Sequence, residues 1–270
     1  MNVSSLHNNK NHTDLENLLA GKNAMVFRQI IPKDVIDKCR LFLEENVSKE
    51  LENIGIKSNI KLESNSIEDQ LRELSKDKNL SDDVAKVLTG HFSLDVRLNE
   101  IISSVAKQSG LIDSIISYTN WDKDISLHMP PMVRFVIPGN TNAAVPVHQD
   151  ILYNKHLKDF VTAWIPLVSI DENCGGIKMF GDPGELTEEA EISDNNVWFK
   201  PIDAGSNSGI DCIPMSPGDV LIFSKTCIHS SMPNLSNKIR YSLDLRIFPT
   251  RLGSEKHYLR LNTGELYEPR

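Results

Sequence analysis

A chain of 270 residues with 40% hydrophobic and 24% charged residues has the make-up of an ordinary globular protein with room for one large core. Its net charge of −8, with lysines interleaved among acids as in KSNIKLESNSIEDQLRELSKDK, supplies no basic stripe for phosphates and argues against a nucleic-acid partner. No run approaches the roughly twenty apolar residues of a membrane span, and the polar start MNVSSLHNNKNHTDLENL has no secretory core, so a cytoplasmic chain with no membrane partner is expected.

In chain order, the Asn-rich start is expected to be mobile to about residue 20, and residues 25–120 read mostly helical. IPKDVIDKCRLFLEENVSKELENIG puts Val35, Cys39, Phe42 and Leu43 near one face, with Asp34 in the first turn and Gly55 as a stop. SIEDQLRELSKD opens with a Ser-x-x-Asp capping pattern at Ser66. SDDVAKVL, capped by Ser81, and SLDVRLNEIISSVAKQSG, from Ser93 to a terminal Gly110, continue the helical run.

The character changes near residue 124, where short β-rich runs alternate with Pro, Gly, Asn and Asp. Strands are predicted over 132–137, 160–168, 176–180, 197–200, 219–223 and 241–248. PGN, DPG and SPGD supply turns between them, because proline presets φ and glycine relaxes it. The fold class is then a mainly β core of about eight strands over 124–250, a jelly roll or cupin-like double-stranded β-helix, with helices over one face. One domain over 1–270 is expected, and the oligomeric state is not legible.

VPVHQDILYN holds the first candidate chemistry. On a strand, residues two apart point to one side, so His148 and Asp150 can converge on a metal. A ferrous site with two histidines and a carboxylate needs another histidine and open coordination positions. His229 follows the turn and apolar strand of PGDVLIFSKTCI, which would hold it at a core edge, whereas His156 sits in a lysine-flanked, exposed-looking loop. Cys227, two residues before His229, reads as packing or as a sulfur ligand. The other cysteines, Cys39, Cys174 and Cys212, form no CxxC pair and read as reduced, mostly buried thiols.

RYSLDLRIF alternates Arg240, Ser242, Asp244 and Arg246 with Tyr241, Leu243, Leu245 and Ile247. That is either a half-buried strand with its polar face in water or, in a barrel with an interior site, a polar face pointing inward. In the second case Arg240 and Ser242 offer a guanidinium and a hydroxyl to one carboxylate. A small keto acid beside a metal triad would suit them.

H-x-D at 148–150, GGIKMFGDPG at 175–184 and PGDVLIFSKTCIHSSMPNLSNKIRYSLDLR at 217–246 resemble the phytanoyl-CoA dioxygenase family. The likeness covers roughly 130–250, with a weaker echo in AMVFRQIIPKDVIDKCRLFLEE. It implies an iron(II)- and 2-oxoglutarate-dependent oxygenase using O2. His148, Asp150 and His229 would hold iron, and Arg240 would take the distal carboxylate of 2-oxoglutarate. Ser231 falls where the family often places a hydroxyl toward the cosubstrate, Trp164 where it has a tryptophan beside it, and Thr162 shares that face. Arg134, on an earlier strand, would meet cosubstrate or substrate. The family's G-S-H after the paired glycines is here Gly181-Asp182-Pro183-Gly184, which puts that loop in question.

Tyr153, Asn154 and Trp198 lie where such barrels carry substrate loops, and Arg246 reads as a partner of Asp244 or as a substrate contact. Related halogenases replace the carboxylate ligand by a small residue. Asp150 therefore implies hydroxylation, with desaturation or ring formation as variants, while 2-oxoglutarate is converted to succinate and CO2. The expected substrate is a small metabolite in a biosynthetic or tailoring step. Asp159, Asp171 and Glu172 raise the option of a cationic one. Two other readings stay open: a cupin-like metalloenzyme that uses no keto acid, and a non-catalytic jelly-roll binding module.

Overall fold

A computed structural model describes residues 15–58, 66–67, 69–70, 90–139, 144–187, 201–204 and 209–269. The predicted strand at 197–200, the Ser81 cap and most of the Asn-rich start lie outside them. In chain order the main elements are β1 (Ala24–Phe27), α1 (Lys33–Ser58), α2 (Leu94–Arg97), α3 (Glu100–Ala106), α4 (Ser109–Thr119), β2 (Ile125–His128) and β3 (Met132–Val136). They continue with β4 (His148–Gln149), β5 (Val161–Pro166), β6 (Ile177–Gly181), β7 (Val220–Ser224), β8 (Ile228–Ser231), β9 (Arg240–Pro249), β10 (Tyr258–Arg260) and β11 (Leu266–Tyr267).

Two antiparallel sheets result. The larger, of eight strands, runs β1-β7-β5-β9-β2-β10-β11, with β3 also on β9, and the smaller is β4-β8-β6. The jelly-roll expectation therefore holds, and three of the strands absent from the prediction, β1, β10 and β11, widen the large sheet. β9 is its spine. One side pairs with β5, from Val161 opposite Ile247 to Pro166 opposite Ser242. The other side pairs with β3 along its first half and with β2 along its second.

The period-two alternation of β9 sorts the chemistry of the sheet. Tyr241, Leu243, Leu245 and Ile247 join one core with Ile36, Leu43, Ile102 and Leu111 of the helices. Each fully buried Leu or Ile contributes roughly 2–3 kcal/mol to that contact. Arg240, Ser242, Asp244 and Arg246 line a cavity of about 280 Å³ on the other face. The polar face of β9 points inward. Residues of the smaller sheet, His148, Ile177 and His229, close the cavity from across.

The helical half departs from its expected boundaries. α1 runs through Gly55 to Ser58, because a lone glycine costs only about 1 kcal/mol in a helix and does not terminate it. The Asp69 N–H does donate to the Ser66 hydroxyl at 3.2 Å, as the capping pattern requires. The single helix expected over 93–110 is instead α2, α3 and the start of α4, and Ser93 forms no side-chain cap bond. Gly110 lies in the first turn of α4. A Cβ there would stand 2.2 Å from the Ile30 carbonyl oxygen, so glycine permits close passage of two backbone segments.

Replacing that hydrogen by a methyl forces the Ile30 segment and α4 apart. Gly110→Ala is expected to destabilise the protein by about 2 kcal/mol despite alanine's better helix propensity. Urea denaturation followed by circular dichroism checks this, and an unchanged midpoint would contradict it.

Candidate active site

The β4–β8 pairing sets His148 directly opposite His229, with ring centroids 4.2 Å apart. Asp150 does not continue the strand; it begins a 3-10 turn over Asp150–Leu152. The turn still brings the carboxylate to the rings. One ligand atom from each of His148, Asp150 and His229 lies within 4.8 Å of the others, and all three residues are buried. Among the described residues this is the cluster of side chains able to hold a metal ion.

Both rings are oriented from behind. His148 Nδ1 lies 2.8 Å from the Pro146 carbonyl and His229 Nδ1 lies 3.0 Å from the Cys227 carbonyl. A carbonyl only accepts, so each Nδ1 carries the proton and each Nε2 presents its lone pair to the centre. The intervening Gln149, fully buried, donates to the Glu185 and Thr226 carbonyls at 2.8 and 2.7 Å, and its Oε1 accepts from the Thr187 N–H at 3.0 Å. These bonds fix β4 to the flanking loops between the two ligands it separates.

Asp150 is 0% exposed, and both of its oxygens are engaged. Oδ1 accepts from Arg246 Nη2 at 2.7 Å, and Oδ2 accepts from the Thr162 hydroxyl. Burial alone would favour the neutral acid, but Arg246 and the two histidines outweigh it and hold the carboxyl well below the usual carboxylate range. Asn154 Nδ2 donates to the Asp150 carbonyl at 2.9 Å and secures the turn. Two imidazoles oriented by backbone carbonyls, an ionised carboxylate and a buried setting are the donor set that suits iron(II).

Arg240 stands at the start of β9. Its Nη1 donates to the carbonyls of Gly175, Gly176 and Met232 at 3.0, 3.3 and 3.3 Å, while its buried Nε has no partner among the described residues. Gly175 has φ +64, and a Cβ on it would come 2.1 Å from the Pro233 carbonyl oxygen. The paired glycines thus let the chain pass close enough to anchor the guanidinium. Arg134, Trp164, Ser231 and Ser242 line the same cavity. That leaves a buried donor in a cavity that two serine hydroxyls also line, chemistry that suits a carboxylate of the cosubstrate.

The structure brings together every predicted site residue except Trp198, which lies outside the described residues. Tyr153 lines the cavity with its ring edge-on to His148, at 5.3 Å between centroids. The Thr162 hydroxyl is spent on Asp150. Arg246 meets Asp150 more closely than Asp244, whose Oδ2 is 4.0 Å away. Cys227 packs instead of ligating, with Sγ 3.2 Å from the Lys22 and Asn23 carbonyls. In the divergent loop, Asp182 accepts from Asn23 Nδ2 at 2.7 Å and from the Ser224 hydroxyl at 2.5 Å, which ties the loop to β7 without touching the ligands.

Sequence reading missed the far wall. His91, Arg97, His128, His156 and Lys256 also line the cavity. They come from four separated segments with no common motif, and Arg97 falls inside the helical run predicted over 93–110.

The phytanoyl-CoA dioxygenase (PhyH) family matches residues 24–242, and the chain belongs to it. The family is one of iron(II)-, 2-oxoglutarate- and O2-using oxygenases, and a His-Asp-His cluster able to hold a metal ion is present in this chain. Among characterised relatives, the 1-deoxypentalenic acid 11-beta-hydroxylases of Streptomyces arenae and Streptomyces exfoliatus are 36% and 37% identical over 115 residues. The aligned stretch spans 38% of this chain and 41% of each relative. The solved structure of the non-heme monooxygenase ThoJ, without metal, superposes with a TM-score of 0.55 at 11% identity, over 95% of this chain and 87% of that one. That likeness is one of fold.

Buried histidines give the pocket an acid sensitivity. Burial first, then neighbouring positive charge, lowers His91 to about 4 and His128 to about 3, against 6.5 for an ordinary histidine. The unfolded chain takes up these protons below 6.5 and the folded chain resists, so stability present above that value is lost as pH falls. The slope is up to about 1.4 kcal/mol per pH unit for each histidine. In metal-free protein, urea midpoints should fall between about pH 7.5 and about pH 5.5, and less steeply in His128→Asn. Equal slopes for the two proteins would show that His128 protonates freely when folded.

Proposed function

We propose that this protein is an iron(II)- and 2-oxoglutarate-dependent hydroxylase of a small metabolite, acting in a biosynthetic or tailoring step and releasing succinate and CO2. The observation that carries the reading is the buried His148–Asp150–His229 cluster in one cavity with the anchored Arg240. The relatives named as hydroxylases support the same reaction class.

Iron(II), bound with the keto acid, would supply the oxidising power that turns a C–H into a C–OH. The protein's own residues do the rest. His148, Asp150 and His229, whose ligand atoms lie within 4.8 Å of one another, would hold the iron at the wall of the cavity, where the keto acid could reach it. Arg240 receives the distal carboxylate and so fixes the direction from which the keto acid enters. Arg246 and Thr162 hold Asp150 in a single orientation. Trp164 and Ile177 line an apolar part of the wall and exclude water from the reacting region.

Purified protein supplied with Fe(II), 2-oxoglutarate, ascorbate and O2 is expected to release succinate slowly even without its substrate. His148→Ala should abolish the release. Arg240→Ala should weaken 2-oxoglutarate binding, read by calorimetry, at least about tenfold, since it removes a charge-assisted bond worth about 1.5–3 kcal/mol. A wild-type protein that binds neither iron nor 2-oxoglutarate would overturn the proposal. Metal binding with indifference to Arg240→Ala would instead favour a metalloenzyme without a keto acid.

A further inference from the structure

The inward face of the large sheet is a ladder. Across it, Thr162 of β5 stands opposite Arg246 of β9, then Trp164 opposite Asp244, Pro166 opposite Ser242, and Arg240 opposite Val136 of β3. Arg240 and Arg246 are six residues apart on one strand, which separates their Cα atoms by about 20 Å. The cosubstrate anchor is at one end of the ladder. At the other end stands a second collection of donors: Arg246, Arg97, His128, His156 and Lys256.

The cavity as a whole is overcharged. Five cations line the cavity, Arg97, Arg134, Arg240, Arg246 and Lys256, against two carboxylates, Asp150 and Asp244. Iron(II) and the dianionic keto acid would cancel each other and leave that excess unchanged. Arg246 is matched by Asp150 at 2.7 Å, and Arg134 and Asp244 influence each other as opposite charges. Arg240 takes the distal carboxylate of the keto acid, so the excess of three falls on Arg97, on the exposed Lys256 and on one remaining charge of iron(II). Arg97 is different. Its Nε and Nη2 donate to the carbonyls of Pro131 and Pro130 at 2.8 and 3.2 Å, neutral partners that fix the guanidinium without offsetting its charge. No ion pair of Arg97 occurs among the described residues.

Two imidazoles complete the set. The His128 and His156 rings lie 4.7 Å apart, and the buried Nε2 of each has no hydrogen-bond partner among the described residues. Both stay neutral near pH 7, held down by burial and by the surrounding positive charge, so each offers one N–H and no full charge. One unmatched guanidinium with neutral donors beside it is the recognition chemistry of a single carboxylate.

We propose that the substrate is a small organic acid whose carboxylate is bound by Arg97, with His128 and His156, at the end of the cavity opposite Arg240. The inference rests on the hydroxylase reading and names its substrate class. It replaces the cationic substrate considered from Asp159, Asp171 and Glu172, none of which lines the cavity.

The test uses redox-silent protein loaded with Ni(II) and saturated with 2-oxoglutarate, probed by calorimetry and saturation-transfer NMR. The probes are cyclohexanecarboxylate, its methyl ester, and cyclohexylamine. Cyclohexanecarboxylate should bind the wild type at least tenfold more tightly than the ester or the amine. Arg97→Gln should remove that preference while 2-oxoglutarate affinity, measured on the same sample, stays unchanged. Arg97→Lys should restore part of it, and Arg240→Gln should weaken 2-oxoglutarate but not the probe. If Arg97→Gln unfolds, His128→Asn serves instead, with a several-fold loss expected. Equal binding of acid, ester and amine overturns the inference, as does competition between cyclohexanecarboxylate and 2-oxoglutarate for one place. Failure to bind Ni(II) or 2-oxoglutarate would instead sink the oxygenase reading beneath it.

Discussion

Asp150 carries a full negative charge with no surface exposed to water, and the neighbourhood is arranged around that fact. An isolated carboxylate in such a place would lose several kcal/mol of hydration and take up a proton. Here Arg246 and Thr162 hold one oxygen each, from neighbouring strands of the large sheet, while the carboxylate itself belongs to the turn after β4. A single side chain thus bolts the two sheets together at the point where metal chemistry is needed. Loss of Arg246 would leave the charge unmatched, so the positions of β9 and of the ligand turn depend on each other.

The His148–Asp150–His229 cluster was legible in part: two members flank Gln149 and the third follows an apolar strand, which made them candidates, and the family resemblance singled them out. β9 was legible because strict alternation over RYSLDLRIF admits one regular structure. The direction of its polar face was not, since polarity alone does not distinguish water from an interior cavity; the family resemblance tipped that balance, and the helices packed on Leu243 and Leu245 settle it in the fold. β1 escaped because AMVF is short and sits next to a helix signal, and its strand identity comes wholly from pairing with β7. The same applies to β10, which exists through its register with β2. Gly110 looked like a terminator because a glycine after a helical pattern usually is one. Its reason here is a neighbour eighty residues earlier in the chain, which no local pattern announces.

The far wall of the pocket was the least readable part. Arg97 reaches it from a helix, His128 from the end of β2, His156 from the loop before β5 and Lys256 from the loop before β10. Such convergence is purely tertiary. A chain with net charge −8 still gathers Arg97, Arg134, Arg240 and Arg246 around one cavity. Long-range attraction and local recognition are separate properties of a charge distribution.

Arg240 is already tethered to three carbonyls before any ligand arrives. A free arginine gives up roughly 2 kcal/mol of rotamer entropy when immobilised, and here that loss belongs to folding. On the proposed role of Arg240, an arriving keto acid would meet a receptor that does not have to be organised, so more of the contact free energy would remain as affinity. On the same proposal, the paired glycines that supply two of those carbonyls would act on ligand binding without touching the ligand. Their contribution is thermodynamic, set at the moment the chain folds.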